Sequence, residues 1–398
     1  MILPELRSPP VPFPVVGHVD LRLFTFGYAR GSDGEWAAAD VEFVDEQRMP
    51  VRIADVVEVN ALAVPLRAPA NYDVMQHELR LVLSYLPDNA GGPLSLRKTE
   101  FKASSSHIRR FVTESFGLGA LTAAAKGKFG WELDSRSLEH FDVLPAKLAG
   151  RYYGIGTRPD LLFRFQRDGL PWSLAGEARG RSTARPKANA PSAAQRRRLD
   201  QIVGWSARHD FHPVTMTWAY TGSSEVQVDL FVSDEPELDD SPGRPSESSA
   251  VLPAYREDGL ATGPSADPSR VPDSEILFNT DLSPQEIAAR IEEVLRSSAV
   301  SLYRTAPESS VRRSILDRNV RGDWVRADLV GQSDAHLFLG ILDAAVRPEE
   351  LTVIRRARTG AERAQDPVQV DVMGRIMVAV AFQAASPPSW SDIEERLR

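Results

Sequence analysis

The stretch "RPDLLFRFQRDGLPWSLAGEARGR", residues 158–181, decides how the chain is read. Asp168-Gly169 is a two-residue hairpin signal, because glycine accepts a positive φ and aspartate tolerates one. With that pair at the turn, Phe165 faces Trp172, Phe163 faces Leu174 and Asp160 faces Glu177. Directly opposed side chains on one face of an antiparallel pair have Cβ atoms about 4.5–5.5 Å apart. Arg179, two residues beyond Glu177, shares the same face. Pro171 beside the turn makes room for a bulge, and in a shifted register both acids would face solvent instead. Two facing carboxylates repel at neutral pH, so one takes a proton or a cation sits between them. A Mg²⁺ ion held through one or two carboxylates, water and a substrate phosphate suits that arrangement.

The segments around the hairpin read as a mixed α/β domain over 104–233. "SSSHIRRFVTESFGLGALTAAAKG" opens with a serine cap and carries Ile108, Phe111, Val112 and Ser115 at helical spacing. Gly117 and Gly119 weaken the expectation of helix beyond them. After the hairpin, Ser192 to Gln195 forms a capping box before "AAQRRRLDQIVGWSAR". "PVTMTWAY" and "EVQVDLFV" then read as strands.

Residues 1–103 read as a β-rich N-terminal domain. "LRLFTFGYA" and "WAAADVEFV" flank the turn-forming "RGSDGE", and further β-like runs are expected at Val51–Val59 and Leu79–Leu86. Residues 234–274 are rich in Pro, Ser, Gly and acids and keep no apolar period, which predicts a linker. Residues 275–398 read as a mixed α/β C-terminal domain, opening on the capped helix "SPQEIAARIEEVL" from Ser283.

With 398 residues and a net charge of -8, the chain is no polycation, so a nucleic-acid partner must meet a local basic patch. Arg179, Arg181, Arg185, Lys187, Arg196, Arg197 and Arg198 supply one beside the two acids. Phosphate contacts are its natural use; a solvated helix face with a loop is the other reading. The absence of cysteine excludes disulfides, thiolate nucleophiles and cysteine-ligated metal sites. "MILPELRSPPVPFPVV" lacks a signal-peptide pattern, and the apolar run Ile376 to Phe382 is too short for a bilayer. A cytoplasmic location without membrane association is therefore expected. His209 and His212 precede Pro213 with no third ligand in view and read as structural or loop residues. No GxxxxGK[ST], HExxH or GxSxG pattern occurs.

Pro159-Asp160, a spacer, then Glu177-Ala178-Arg179 resembles the PD-(D/E)xK motif of the restriction-endonuclease-like nuclease superfamily. Gln201 to Trp205 resembles the Q-x-x-x-Y motif of its RecB-like branch, with Trp in place of Tyr. The resemblance covers about 130 residues of the chain. It implies an α/β (α+β) fold with a restriction-endonuclease-like αβββαβ core, flanked by the N- and C-terminal domains. It also implies a nuclease acting on nucleic acid, DNA favoured, in bacterial defence, restriction or DNA processing, alone, as a homo-oligomer or with a partner protein. Asp160, Glu177 and the Ala178 carbonyl would hold Mg²⁺ or Mn²⁺. Arg179 would clamp the scissile phosphate, Gln201 would orient the motif or the substrate, and Glu114 would hold a water or a second metal; the other readings are a helix-surface acid for Glu114 and plain helix packing for Gln201 and Trp205, one turn apart. Arg181, Arg185, Lys187, Arg196, Arg197 and Arg198 would meet the nucleic acid. The family lysine is Arg179 here. Arginine binds phosphate well but is a poor proton acceptor, with Lys187 in the following loop as a substitute. A catalytically inactive protein of the same fold, binding nucleic acid or serving in assembly, is the alternative.

Overall fold

The structure, a computed structural model, describes residues 17–32, 34–63, 72–86, 92–131, 137–140, 159–167, 170–209, 211–233, 302–307, 313–315, 317–329, 335–344, 368–373, 375–381 and 386–397. The turn pair 168–169, the expected linker at 234–274 and the expected helix from Ser283 lie outside these residues.

The hairpin forms in the expected register. β5 (Leu161–Arg167) pairs antiparallel with β6 (Leu170–Arg181), with Phe165 opposite Trp172 and Phe163 opposite Leu174. Strands β4 (Ser137–His140), β5, β6, β7 (Val214–Tyr220) and β8 (Gln227–Ser233) lie side by side in that order. β6 and β7 are parallel and the other pairs in this run antiparallel. A parallel pair needs a crossover. Helix α5 (Ala193–Arg208) lies between β6 and β7 in the chain, capped by the expected box of Ser192 and Gln195.

Strands β1 (Gly17–Arg30) and β2 (Trp36–Val51) form the expected N-terminal hairpin. They are not a sheet of their own: β1 runs parallel to β8 and extends the same sheet, with the short β3 (Gly92–Pro93) beside it. The β-like runs at Val51–Val59 and Leu79–Leu86 are overturned. Helices α1 (Ile53–Ala63) and α2 (Tyr72–Ser84) occupy these regions. Their buried residues explain why. Ile53, Val56, Val57 and Ala61, and then Tyr72, Met75, Leu79, Val82 and Leu83, recur at helical spacing and bury one stripe each. After the short α3 (Lys98–Ala103), α4 (Ser106–Phe129) begins where expected, with Ser105 accepting a bond from Ile108 N. It runs straight through Gly117 and Gly119, because both positions touch neighbouring elements too closely for a side chain. A Cβ on Gly117 would meet the Arg179 carbonyl carbon at 3.0 Å, and one on Gly119 would meet Val56 Cγ2 at 2.5 Å.

The C-terminal part forms a second, antiparallel sheet in the order β12 (Val368–Met373), β13 (Ile376–Ala381), β11 (His336–Leu342), β10 (Arg318–Arg326), β9 (Arg313–Ile315). Alternate residues of β11 and β13 divide cleanly between its two faces. Leu337, Leu339, Ile341, Val378 and Val380 join a core with α1, α2, α4 and the first sheet. Phe338, Met377 and Ala379 pack with Trp390 and Ile393 of α6 (Trp390–Leu397). The fold is thus mixed α/β: α5 covers one face of the first sheet, and α1, α2 and α4 lie between the two sheets. Among the described residues, no helix is long and apolar enough to cross a membrane.

Candidate functional site

β6 has two chemically distinct faces. Gly176, Ala178 and Gly180 are small and turn toward α4. A Cβ on Gly176 would meet Leu121 at 2.8 Å, and one on Gly180 would meet the Thr113 carbonyl at 1.8 Å. The intervening Glu177, Arg179 and Arg181 therefore turn to the opposite face, under α5. On β5, Leu162 packs on the α5 side while Leu161 and Phe163 pack on the α4 side, so Asp160 shares the face of Glu177. Asp160 N donates to Gly176 O at 2.9 Å, and Asp160 Oδ2 accepts from Ala178 N at 2.8 Å. Asp160 and Glu177 are thus brought together as the turn chemistry predicts.

Glu177 is fully buried. Its Oε1 accepts from Arg198 Nε at 2.7 Å and pairs with Arg179 Nη2 at 2.6 Å. Its Oε2 has no hydrogen-bond partner among the described residues. Burial, and then the neighbouring Asp160 carboxylate, push the Glu177 carboxyl up to about 8, against the lowering pull of Arg198 and Arg179. Arg198 Nη1 also donates to Gln201 Oε1 at 3.2 Å, which ties exposed Gln201 to the same cluster. Comparison with known protein families, characterised proteins and solved structures gave no match.

Other expected site residues go elsewhere. Glu114 is exposed and paired with Arg110 at 2.8 Å. Thr113 and Gly117 make the contact with β6, and helical geometry turns Glu114 away from it. Among the described residues no third carboxylate or histidine joins Asp160 and Glu177. Trp205 is a buried core residue, stacked on His209 at 4.5 Å and edge-on to His212 at 5.7 Å. His209 Nδ1 lies 2.7 Å from Trp205 O, and His212 is buried.

The arginine run is not a single patch. Arg196 Nη2 donates to Ala38 O at 2.9 Å, and Asp200 of the same helix accepts from Ala38 N at 3.1 Å, so α5 grips β2 by its backbone. Arg197 faces solvent, and Arg198 turns inward to Glu177. Three consecutive helical residues point about 100° apart, so adjacency in sequence does not make adjacency in space. Arg185 is also turned inward, donating to Asp20 O at 3.2 Å and pairing with Glu46. Arg181 and Lys187 are exposed, Arg181 lying 4.8 Å over the Trp218 ring. The charged groups with the largest effect on Glu177 are Asp160, Arg198 and Arg179.

A second buried network, unforeseen from sequence, fixes the loop after β6. Arg22 binds Asp229 through two bonds, Nε to Oδ1 at 2.8 Å and Nη2 to Oδ2 at 2.9 Å. Arg22 Nη1 donates to the carbonyls of Pro186 and Ala188, at 3.2 and 2.6 Å. Gln195 Nε2 completes Asp229 at 2.8 Å. Partners more than 160 residues apart in the chain leave no local signal.

Proposed function

We propose that this chain is a metal-dependent nuclease of the restriction-endonuclease-like type, acting on nucleic acid with DNA favoured, in a cytoplasmic defence, restriction or DNA-processing setting. One observation carries the reading. Asp160, Glu177 and Arg179 converge on the sheet face under α5, and a buried Glu177 oxygen is left without a partner among the described residues. The run α4, β4, β5, β6, α5, β7, with β6 and β7 parallel, supports it as the αβββαβ order that the resemblance implies.

The residues fit a hard cation. Glu177 Oε2 and Asp160 are oxygen donors of the kind Mg²⁺ or Mn²⁺ takes, with water and substrate phosphate for the remaining positions. The Ala178 carbonyl, which accepts from Arg179 Nη1 at 3.4 Å, is the third candidate ligand. When bound, such a cation lowers the pKa of a water and neutralises phosphate charge. Arg179 stands beside the acids with its fork of donors, suited to a phosphate's paired oxygens and unsuited to removing a proton. Arg181, Lys187 and Arg197, all exposed, remain for the flanking backbone.

A second reading, a binding protein of the same fold without chemistry, is favoured by one feature: two guanidinium groups already neutralise Glu177 Oε1. Plasmid, linear and single-stranded DNA incubated with Mg²⁺ or Mn²⁺ separates the two. The nuclease reading predicts cutting by wild type and loss of at least about 100-fold in Asp160→Ala and Glu177→Gln, in the range of a lost catalytic group. Binding without cutting would favour the second reading, and neither activity would overturn both.

A further inference from the structure

Glu177 Oε1 holds two cationic groups, while Oε2 of the same buried carboxyl holds none among the described residues. The two guanidinium groups arrive from different elements, Arg179 from β6 and Arg198 from α5. Both side chains keep a route to solvent, at 31% and 18% exposure, whereas Glu177 has none. Gln201, which accepts from Arg198 Nη1, is exposed and marks the outward direction. A divalent cation on Glu177 would compete with these guanidinium groups for one carboxylate's charge. A guanidinium loosened there needs a new acceptor, and a backbone phosphate offers paired oxygens in matching geometry.

We infer that Arg198 is a phosphate-binding residue held on Glu177 until a divalent cation takes that carboxylate, so that cation and nucleic acid bind cooperatively through Arg198. The inference rests on the nuclease reading and adds a coupling to it. Arg198 needs only a side-chain movement, because its helix is anchored independently: Arg196 and Asp200 grip Ala38, and Gln195 grips Asp229. By linkage, whatever factor the cation adds to nucleic-acid affinity, the nucleic acid adds to cation affinity.

The test uses the full chain, a fluorescein-labelled DNA duplex and Ca²⁺ as a cation for binding without turnover, read by fluorescence anisotropy at matched ionic strength. Ca²⁺ is expected to tighten wild-type binding about tenfold, within the usual range for coupled sites. Arg198→Gln is expected to lose that tightening. Glu177→Gln approaches from the other partner. Its neutral amide releases both guanidinium groups, so DNA binding without Ca²⁺ is expected to rise. Should Arg198→Gln fail to fold, Arg198→Lys keeps the charge but not the fork, and is expected to show reduced coupling. Equal tightening in wild type and a folded Arg198 variant would overturn the inference and leave the nuclease reading standing. No DNA binding by folded wild type with Ca²⁺ would overturn both.

Discussion

A carboxyl group at 0% exposure, with two guanidinium groups on one oxygen and no hydrogen-bond partner for the other among the described residues, is an arrangement that folding alone does not favour. Neutral apolar residues of similar volume are often as stable as a buried ion cluster, so the cluster around Glu177 is weak evidence of a stabilising role. His212 is likewise buried, with its Nε2 lacking a hydrogen-bond partner among the described residues. Its ring is buried against Trp205, and burial, aided by His209, lowers it from 6.5 to about 4. The folded state therefore refuses a proton that the unfolded state accepts below pH 6.5, and stability falls as pH drops from 6.5 towards 4. The gap corresponds to about 3 kcal/mol. Urea denaturation at pH 7 and pH 4 should show the stability difference between wild type and His212→Asn shrinking by about that amount; an unchanged difference would show that His212 titrates normally. At this scale the sequence was most informative where chemistry is local. The Asp168-Gly169 signal predicts the register in which β5 and β6 pair and Asp160 lies beside Glu177. It was least informative for Arg185, Arg196 and Arg198, whose partners at Glu46, Ala38 and Glu177 belong to other elements.

Among the elements, the contact of α4 with β6 sets the position of the site. The alternation in "GEARGR" places small residues against α4 and charged ones under α5, and only a nearly bare strand face admits the helix so closely. Gly180→Ala would put a methyl 1.8 Å from the Thr113 carbonyl. It should cost about 1–3 kcal/mol or more in chemical denaturation and weaken any activity at Glu177 by moving β6. Gly127→Ala in α4 meets nothing within 4 Å and should stabilise by about 0.5–1 kcal/mol. Equal effects of the two substitutions would contradict the close-packing account. Gly117 and Gly119 weakened the expectation of helix in α4, because helix propensity counts against glycine whereas a tight crossing selects for it. In α1, β-branched composition outweighed the helical stripe, and in α2 the alternating leucines of "LRLVLSYL" did, although Tyr72, Met75, Leu79, Val82 and Leu83 bury one helical face.

Across the whole molecule, helices α1, α2 and α4 are shared by two sheets, and the sharing is not only apolar. Buried Tyr72 of α2 donates its hydroxyl to Leu339 O at 2.6 Å and accepts from Asp323 N at 3.0 Å, bridging β11 and β10. Arg97 reaches Asp328 at 2.7 Å, and Ser84 Oγ accepts from Leu329 N at 2.7 Å. Tyr72→Phe leaves the Asp323 N–H and the Leu339 carbonyl without that partner and should destabilise by about 1–3 kcal/mol, with faster hydrogen exchange centred on β10 and β11. Unchanged exchange there would show that the C-terminal sheet stands independently of α2. Composition and turn signals were enough for a mixed α/β chain. They could not show that β1 pairs with β8, since a pairing across about 200 residues is fixed by packing and not by any local pattern.

The most direct test of the account is a Mn²⁺ titration of the full chain followed by the electron paramagnetic resonance signal of the free ion. Wild type is predicted to bind a Mn²⁺ that Asp160→Asn and Glu177→Gln both lose while keeping wild-type circular dichroism. Equal Mn²⁺ binding by wild type and both folded variants would contradict the assignment of Asp160 and Glu177 as a cation site, and the proposed chemistry would fall with it.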